Sequence, residues 1–363
     1  MEKDLESAEW AAFDGNDHDY KRLVLGFFLV GLFVYVGTRI VGLDEYPAHF
    51  FTDEAAQTVF ASELIRDRFV YEGEFLPTYF YNVDKYSLSV TVYIQLVPYL
   101  LFGKSVVITR GASALVTIAG VVAISLLLKN VFQSPYWWLG PLLMSTTPVW
   151  FLHSRTAFEN AIAVSFFALF ICGYYLYLYR TPRFWYLTLI GGALTFYSYN
   201  PGRLVVLAAC LFFLLSDLRY HWQNRRIIVA STWLILLLVL PFVRFQVTHI
   251  LSELDQLELL QSYWVQDLSV GEKLLRFGAQ VLRGLNPLYW FLPNRYELVW
   301  PPQASYMMMG YGHLLWIMLP FALVGLVYTL QRLRISAYRN LVLISIASPL
   351  GAALVEVNTA RAL

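Results

Sequence analysis

The chain has 363 residues, 58% hydrophobic and only 14% charged, with 11 Trp, 25 Tyr and 26 Phe, whereas an average soluble domain carries about 25% charged residues. This balance excludes an ordinary soluble enzyme and marks an all-α, polytopic membrane protein. A net charge of +1, with Lys and Arg scattered along the chain, excludes the basic surface that a nucleic-acid partner needs.

Residues 1–22 are acidic and lack the basic n-region and apolar stretch of a cleaved signal; they read as an unstructured cytosolic tail. Residues 23–363 read as one transmembrane domain without internal repeats. Apolar stretches near the roughly 20 residues needed to cross a bilayer fall at about 23–43, 106–128, 136–152, 160–179, 184–200, 204–218, 227–245, 313–330 and 340–357. They predict about nine spans. A further run at 86–102 is shorter and carries Gln95 and Pro98.

Cytoplasmic loops collect Lys and Arg, and this rule decides the status of 86–102. If that run does not cross, Lys3, Lys21, Arg22, Lys129, Arg180, Arg183, Arg219, Arg225, Arg226, Arg332, Arg334 and Arg339 all lie inside. If it does cross, the basic loops at 180–183 and 219–226 change sides. The run is therefore read as a juxtamembrane helix in a first external loop, about 44–105, with a second external loop at about 246–312. Cys172 and Cys210 sit in apolar runs and read as core thiols. The chain stops at EVNTARAL shortly after an apolar segment, which leaves room for a longer parent.

With this topology every polar cluster that looks chemical falls on one outer face. FFTDEAAQTVFASELIRDR has the spacing of an interfacial amphipathic helix, with Phe51, Ala55, Val59 and Leu64 near one face and Asp53 and Glu54 in its first turn. Capping explains acidic residues there equally well; their place directly after a span favours chemistry. His49 stands four residues before Asp53, a spacing that suits two metal ligands on a helix, but Pro47 interrupts it and no third ligand is evident. A divalent metal is not indicated, and no cofactor is assigned.

Lys85 at the mouth of the interfacial run and Arg110 at the start of the next span read either as snorkelling anchors or as ligands for a lipid-carrier phosphate. HSRTAFEN places His153, Arg155 and Glu159 together, with Arg155 and Glu159 spaced for a helical ion pair. YSYNPGR joins Tyr199, Asn200 and Arg203 to a Pro-Gly turn, and Arg203 defies the charge rule obeyed elsewhere. The loop 246–312, with Trp264, Trp290, Trp300 and WFLPNRYELVWPP, suits an aromatic belt, an acceptor groove or a lid.

An external carboxylate, cations at headgroup depth and an aromatic external loop fit transfer of a sugar from a polyprenyl-phosphate donor, with Asp53 as general base. No P-loop or Gly-rich phosphate loop is present. The ordered series FFTDEAAQTVFASELI, DKYSLSVTVYIQLVPYLLFGKSVVITRGASAL, HSRTAFEN and YSYNPGR, over roughly 20–245, resembles the GT-C superfamily of integral-membrane glycosyltransferases. The likeness is greatest to protein O-mannosyltransferases and lipid A aminoarabinose transferases. It implies a catalytic base at Asp53 with Glu54 beside it, a second acidic residue at Glu159, and carrier-phosphate ligands at Lys85 and Arg110; Arg203 is added as a further phosphate-binding candidate from its place in YSYNPGR. It also implies inverting single displacement. Arg155, His153, Tyr199 and Asn200 become the substrate-binding candidates.

The chain departs from the family in reading Lys85-Tyr86-Ser87 where Lys-Pro-Pro or His-Pro-Pro is familiar, and in lacking Asp-x-Asp. The expected partners are a polyprenyl-phosphate sugar, a protein, lipid or polysaccharide acceptor, and membrane lipids. The expected place is a bacterial cytoplasmic membrane, with the N-terminus cytosolic and the site outside. The rival readings are a transporter or flippase of a lipid-linked saccharide, and a polysaccharide polymerase or ligase. Transporters tend to carry charge at mid-span and inverted repeats, while the spans here are nearly free of charge.

Overall fold

The computed structural model describes residues 18–82, 85–87, 89–293, 308 and 310–355. The N-terminal tail before residue 18, Asp84, Trp300 with most of WFLPNRYELVWPP, and EVNTARAL lie outside the described residues. What is described is mostly helix, as runs of Leu, Val, Ala and Phe in a lipid solvent require, because a helix satisfies its own backbone polar groups. Among the described residues four helices are long and apolar enough to cross a membrane: Asp19–Ile40, Val106–Asn130, Glu159–Tyr179 and Ser336–Leu354.

In chain order, α1 is His18–Ile40, α2 Thr52–Arg66, α3 Val90–Phe102, α4 Val106–Asn130, α5 Gly140–Thr146, α6 Pro148–His153 and α7 Glu159–Tyr179. Then follow α8 Trp185–Ser198, α9 Asn200–Ser216, α10 Leu218–Gln223, α11 Arg225–Ala230 and α12 Thr232–Thr248. The series closes with α13 Ser252–Leu259, α14 Val270–Leu285, α15 Pro287–Phe291, α16 Leu319–Gln331 and α17 Ser336–Ala347.

The remaining expected spans are short or broken, each for a local reason. The 136–152 run divides at Thr147, whose ψ of 115° is the extended conformation that a following proline imposes. The 227–245 run breaks between α11 and α12 at Ser231. The 86–102 run, which was not expected to cross, forms α3, whose 13 residues reach only about 20 Å at ~1.5 Å per residue, short of the ~30 Å of hydrocarbon.

Long-range bonds sort the loops into two ends. At one end Gln57 meets Ala157, Thr78 meets Pro241, Asn200 meets Gln256 and Ser262 meets Leu354. At the other, Asp217 accepts from Tyr174 (2.9 Å), Ser336 (2.6 Å), Arg339 (2.9 Å) and Asn340 (2.8 Å), tying α7, α9 and α17 together. Both oxygens of this buried carboxylate are satisfied, as a charge at 7% exposure requires. Between the ends α7 is the most enclosed helix, and it packs on α8 through small residues. A Cβ on Gly191 would lie 2.7 Å from the Phe170 nitrogen, so only glycine permits that approach.

The segment between α1 and α4 folds on its own small core. Two hairpins, β1 (Val70–Tyr71) with β2 (Glu74–Phe75) and β3 (Phe80–Asn82) with β4 (Lys85–Ser87), connect α2 to α3. Ala61, Leu64, Phe80 and Val92 are buried together there. Of the expected apolar face of α2, Leu64 is buried while Phe51, Ala55 and Val59 are more open; in the first half of the helix the buried residues are the polar Glu54, Gln57 and Thr58.

The second long loop is fastened by His313, whose carbonyl accepts from Val149 N–H at 3.2 Å. Its ring lies 5.1 Å from that of Tyr289 and 5.4 Å from that of Trp290. Burial lowers the His313 imidazole from 6.5 to about 4, so the folded chain keeps it neutral where the unfolded chain takes up a proton. The stabilisation is therefore present above 6.5 and lost as pH falls toward about 4. Amide exchange at Val149, corrected for its intrinsic pH dependence, is expected to quicken through that window in wild type and to stay flat in His313→Asn. A flat wild-type profile would contradict the coupling.

Candidate active site

The geometry of the first end begins at the α2 N-terminus. Phe51 is extended, and Glu54, three residues on, turns back so that its carboxylate accepts the Phe51 N–H at 3.3 Å. Glu54 and Arg110 are both fully buried. The guanidinium donates from Nε to Oε2 at 2.9 Å and from one terminal nitrogen to Oε1 at 3.0 Å. Its other N–H groups go to the carbonyls of Leu43 (2.9 Å), Pro47 (2.9 Å) and His49 (2.8 Å). All five donors are therefore in use, and none is left for a phosphate in this arrangement.

The same carboxylate reaches HSRTAFEN. Glu54 Oε2 accepts the Ala157 N–H at 2.9 Å, while Gln57 Nε2 donates to the Ala157 carbonyl. One peptide residue is thus held at both its polar groups by two side chains one helical turn apart. Arg155 gives its donors to the carbonyls of Thr38, Val41, Gly42 and Tyr46, at and just beyond the end of α1, which satisfies acceptors that a helix C-terminus leaves orphaned. It makes no ion pair with Glu159, because 154–158 is a turn and α7 starts only at Glu159. Arg39 does the reciprocal service: it donates to Ser154 Oγ at 2.9 Å and to the Met144 carbonyl, at the end of α5, at 2.8 Å.

Asp53 precedes Glu54 in the first turn of α2 and is only partly covered. Adjacent residues on a helix project about 100° apart, so burying Glu54 turns Asp53 to a different side. Glu159 occupies the first turn of α7, also partly covered, where the helix dipole favours a carboxylate. His153 closes α6, with Nδ1 3.0 Å from the Asn160 amide nitrogen. His49 stands exposed before the α2 N-cap, so its helical spacing with Asp53 is not formed. Among the described residues no three His, Cys, Asp or Glu side chains gather as metal ligands.

The remaining candidates group around two cavities on either side of the α8–α9 hairpin. A groove of about 400 Å³ runs between α8, α9 and α12, lined by apolar side chains including Phe196, Leu207, Cys210, Leu214, Val239 and Phe242. Leu207, Leu214 and Val239 are exposed, so it opens sideways. Arg203 lies over Tyr79 (4.6 Å) and over the groove residues Phe196 (5.6 Å) and Phe242 (5.8 Å), placing a cation at one end of an apolar trough. Tyr86 of β4 packs on Phe245 (5.2 Å) and His249 (4.4 Å) at the end of α12. This brings the β4 strand, and with it Lys85, to the same corner. Lys85 makes no ion pair with another described residue.

The second cavity, about 220 Å³, is lined by His153, Asn160, Tyr199 and Ser348 together with apolar residues of α6, α7 and α9. Asn200 is turned away from it, donating to Gln256 of α13 at 2.6 Å. The structure thus gathers Asp53, Glu54, Arg110, Arg155, His153 and Glu159 around the 153–160 turn, and sets Arg203 beside the groove, with the strand that carries Lys85 packed through Tyr86 on the end of α12. Sequence reasoning did not single out Gln57, Arg39 or Asn160. The signal for Gln57 was its i, i+3 spacing from Glu54; the partner carbonyls of Arg39 leave no mark in a sequence.

Residues 89–245 match the dolichyl-phosphate-mannose-protein mannosyltransferase family, a GT-C glycosyltransferase family, as the resemblance read from the motifs implied. The matched stretch runs from α3 to α12 and contains Arg110, HSRTAFEN and YSYNPGR; Asp53, Glu54 and Lys85 precede it. No curated protein and no solved structure matches the chain.

Removing one partner of a buried ion pair leaves the other charge uncompensated, at a cost of about 3–5 kcal/mol. Arg110→Met is therefore expected to lower the thermal unfolding temperature in detergent far more than Arg66→Met, which breaks an exposed pair with Asp67. Equal effects of the two substitutions would contradict the structural role of Arg110.

Proposed function

We propose that this integral membrane protein is a glycosyltransferase that moves a sugar from a polyprenyl-phosphate donor to a hydroxyl acceptor, on the outer face of a bacterial cytoplasmic membrane. The observation that carries the reading is the family match over 89–245. The laterally open apolar groove ending at Arg203 supports it, since a carrier with a long hydrocarbon tail and a phosphate head has that polarity. The donor tail lies along α8, α9 and α12, and its phosphate meets Arg203 and Lys85.

Asp53 takes the acceptor hydroxyl proton as that oxygen attacks the anomeric carbon. The bond from that carbon to the phosphate oxygen breaks, its electron pair stays with the polyprenyl phosphate, and the configuration inverts. Arg203 and Lys85 offset the charge that develops on the leaving phosphate. Glu159 holds the acceptor or the sugar. Arg110 serves by fixing Glu54, and Arg155 by fixing the end of α1; Glu54 in turn holds the turn beside which Asp53 works. No metal is given a role.

Asp53→Asn is expected to slow sugar transfer from radiolabelled polyprenyl-phosphate monosaccharides by about 100-fold or more, the size of a lost general base, with unfolding temperature unchanged. Arg203→Ala is expected to raise KM for the donor by about tenfold, in line with loss of one charge-assisted contact, and to leave kcat less affected. Wild-type protein inert toward every donor, or Asp53→Asn as fast as wild type, would overturn the reading.

A further inference from the structure

The second cavity adds a feature that the donor chemistry does not require. It lies across the α8–α9 hairpin from the donor groove: Gly192, Phe196 and Tyr197 face the groove, while Thr195, Tyr199 and Gly202 face the smaller cavity. Two of its polar groups, His153 and Asn160, are bonded to each other at one end, where Phe158 packs on His153 at 6.1 Å between rings. Phe158 also packs on Phe51, two residues before Asp53, with ring centroids 5.7 Å apart. This polar end is therefore the one turned toward the carboxylates.

Apart from Thr195, Tyr199 and Ser348, the rest of the wall is apolar. Val164 and Phe167 of α7 face Val205 of α9, and Val164 is 46% exposed on a helix that is otherwise the most covered in the molecule. The cavity is consequently continuous with the apolar belt that meets lipid. An acceptor arriving from water, such as a hydrophilic peptide or a free saccharide, gains nothing from an apolar side entrance. An amphiphile does, because its hydrocarbon part is already in the bilayer and its hydroxyl can reach the polar end without leaving headgroup depth.

We infer that this cleft is the acceptor subsite and that the acceptor is a membrane-anchored amphiphile, its hydroxyl-bearing head beside His153 and Asn160 and its aliphatic part between Val164 and Val205. The inference rests on the glycosyltransferase reading for the word acceptor, while the binding itself stands without it. Donor and acceptor would then enter from opposite sides of one helical hairpin. About seven waters fill an equal volume at ~30 Å³ each, so the cleft takes the hydroxyl-bearing end of a head with the first few carbons of its aliphatic part, and the rest of the amphiphile stays in the bilayer.

The test uses the full chain in lipid nanodiscs and a diazirine-bearing octyl β-glucoside as probe, with labelled residues mapped by mass spectrometry. The probe is expected to label α7 and α9 around Val164 and Val205. Excess octyl β-glucoside should compete with it, and methyl β-glucoside should not. Val164→Trp, which fills the entrance, is expected to reduce labelling by about tenfold or more, the scale of a blocked apolar pocket. Leu211→Trp, an equal bulk on the open face of α9 away from both cavities, is expected to leave labelling unchanged. Labelling elsewhere, equal competition by methyl β-glucoside, or equal labelling by a headless alkyl diazirine would overturn the inference. In transfer assays octyl β-glucoside is expected to accept sugar where methyl β-glucoside does not. Labelling at the cleft with no donor consumed would sink the enzyme reading and leave the amphiphile site standing, whereas donor hydrolysis with no labelling would do the reverse.

Discussion

A single buried ion pair, Glu54 with Arg110, holds this end of the molecule together. Two fully buried charges are expensive to remove from water, and the chain meets that requirement by giving every donor and acceptor of the pair a partner. The partners come from four separated stretches: the Leu43–His49 segment after α1, the start of α2, the start of α4, and Ala157. Remove the pair and those stretches lose their common point. With it in place, Asp53 projects about 100° around α2 from Glu54 and is only partly covered.

The same logic repeats with backbone carbonyls instead of carboxylates. Arg155 and Arg39 each reach across to the end of the other's neighbouring helix and satisfy carbonyls that would otherwise be orphaned. A bundle with several short helices has many such ends. Here the arginines that cap them also lock the turn 153–160, which carries His153 and Glu159. Stability and site geometry therefore draw on the same contacts, and substitutions in this region affect both. Arg203 stands apart from that lattice, over Tyr79 and the groove residues Phe196 and Phe242.

Much of this was legible in the sequence, for reasons that can be named. Hydropathy marked the helical segments, and charge asymmetry placed HSRTAFEN, YSYNPGR and the first acidic turn at a common end, which the contacts of Gln57, Glu54 and Asn200 reproduce. The partners of Arg110 and Arg155 were not legible. Spacing paired Arg155 with Glu159 and left Arg110 for a phosphate, since side-chain patterns reveal other side chains and say nothing of carbonyls brought close by the fold. The breaks at Thr147 and Ser231 had weak signals too: a proline marked the first, and nothing local marked the second. The first half of α2 ran against its amphipathic pattern, because tertiary partners at Thr109, Arg110 and Ala157 outweigh the apolar stripe there, while Leu64 of that stripe is buried.

The measurement that tests this account most directly is a structure of the Asp53→Asn protein with a bound polyprenyl-phosphate sugar. The account predicts the phosphate beside Arg203 and Lys85 at the end of the α8–α9–α12 groove, with Arg110 still closed on Glu54. A phosphate bound to Arg110, with Glu54 released from it, would contradict the account at its root.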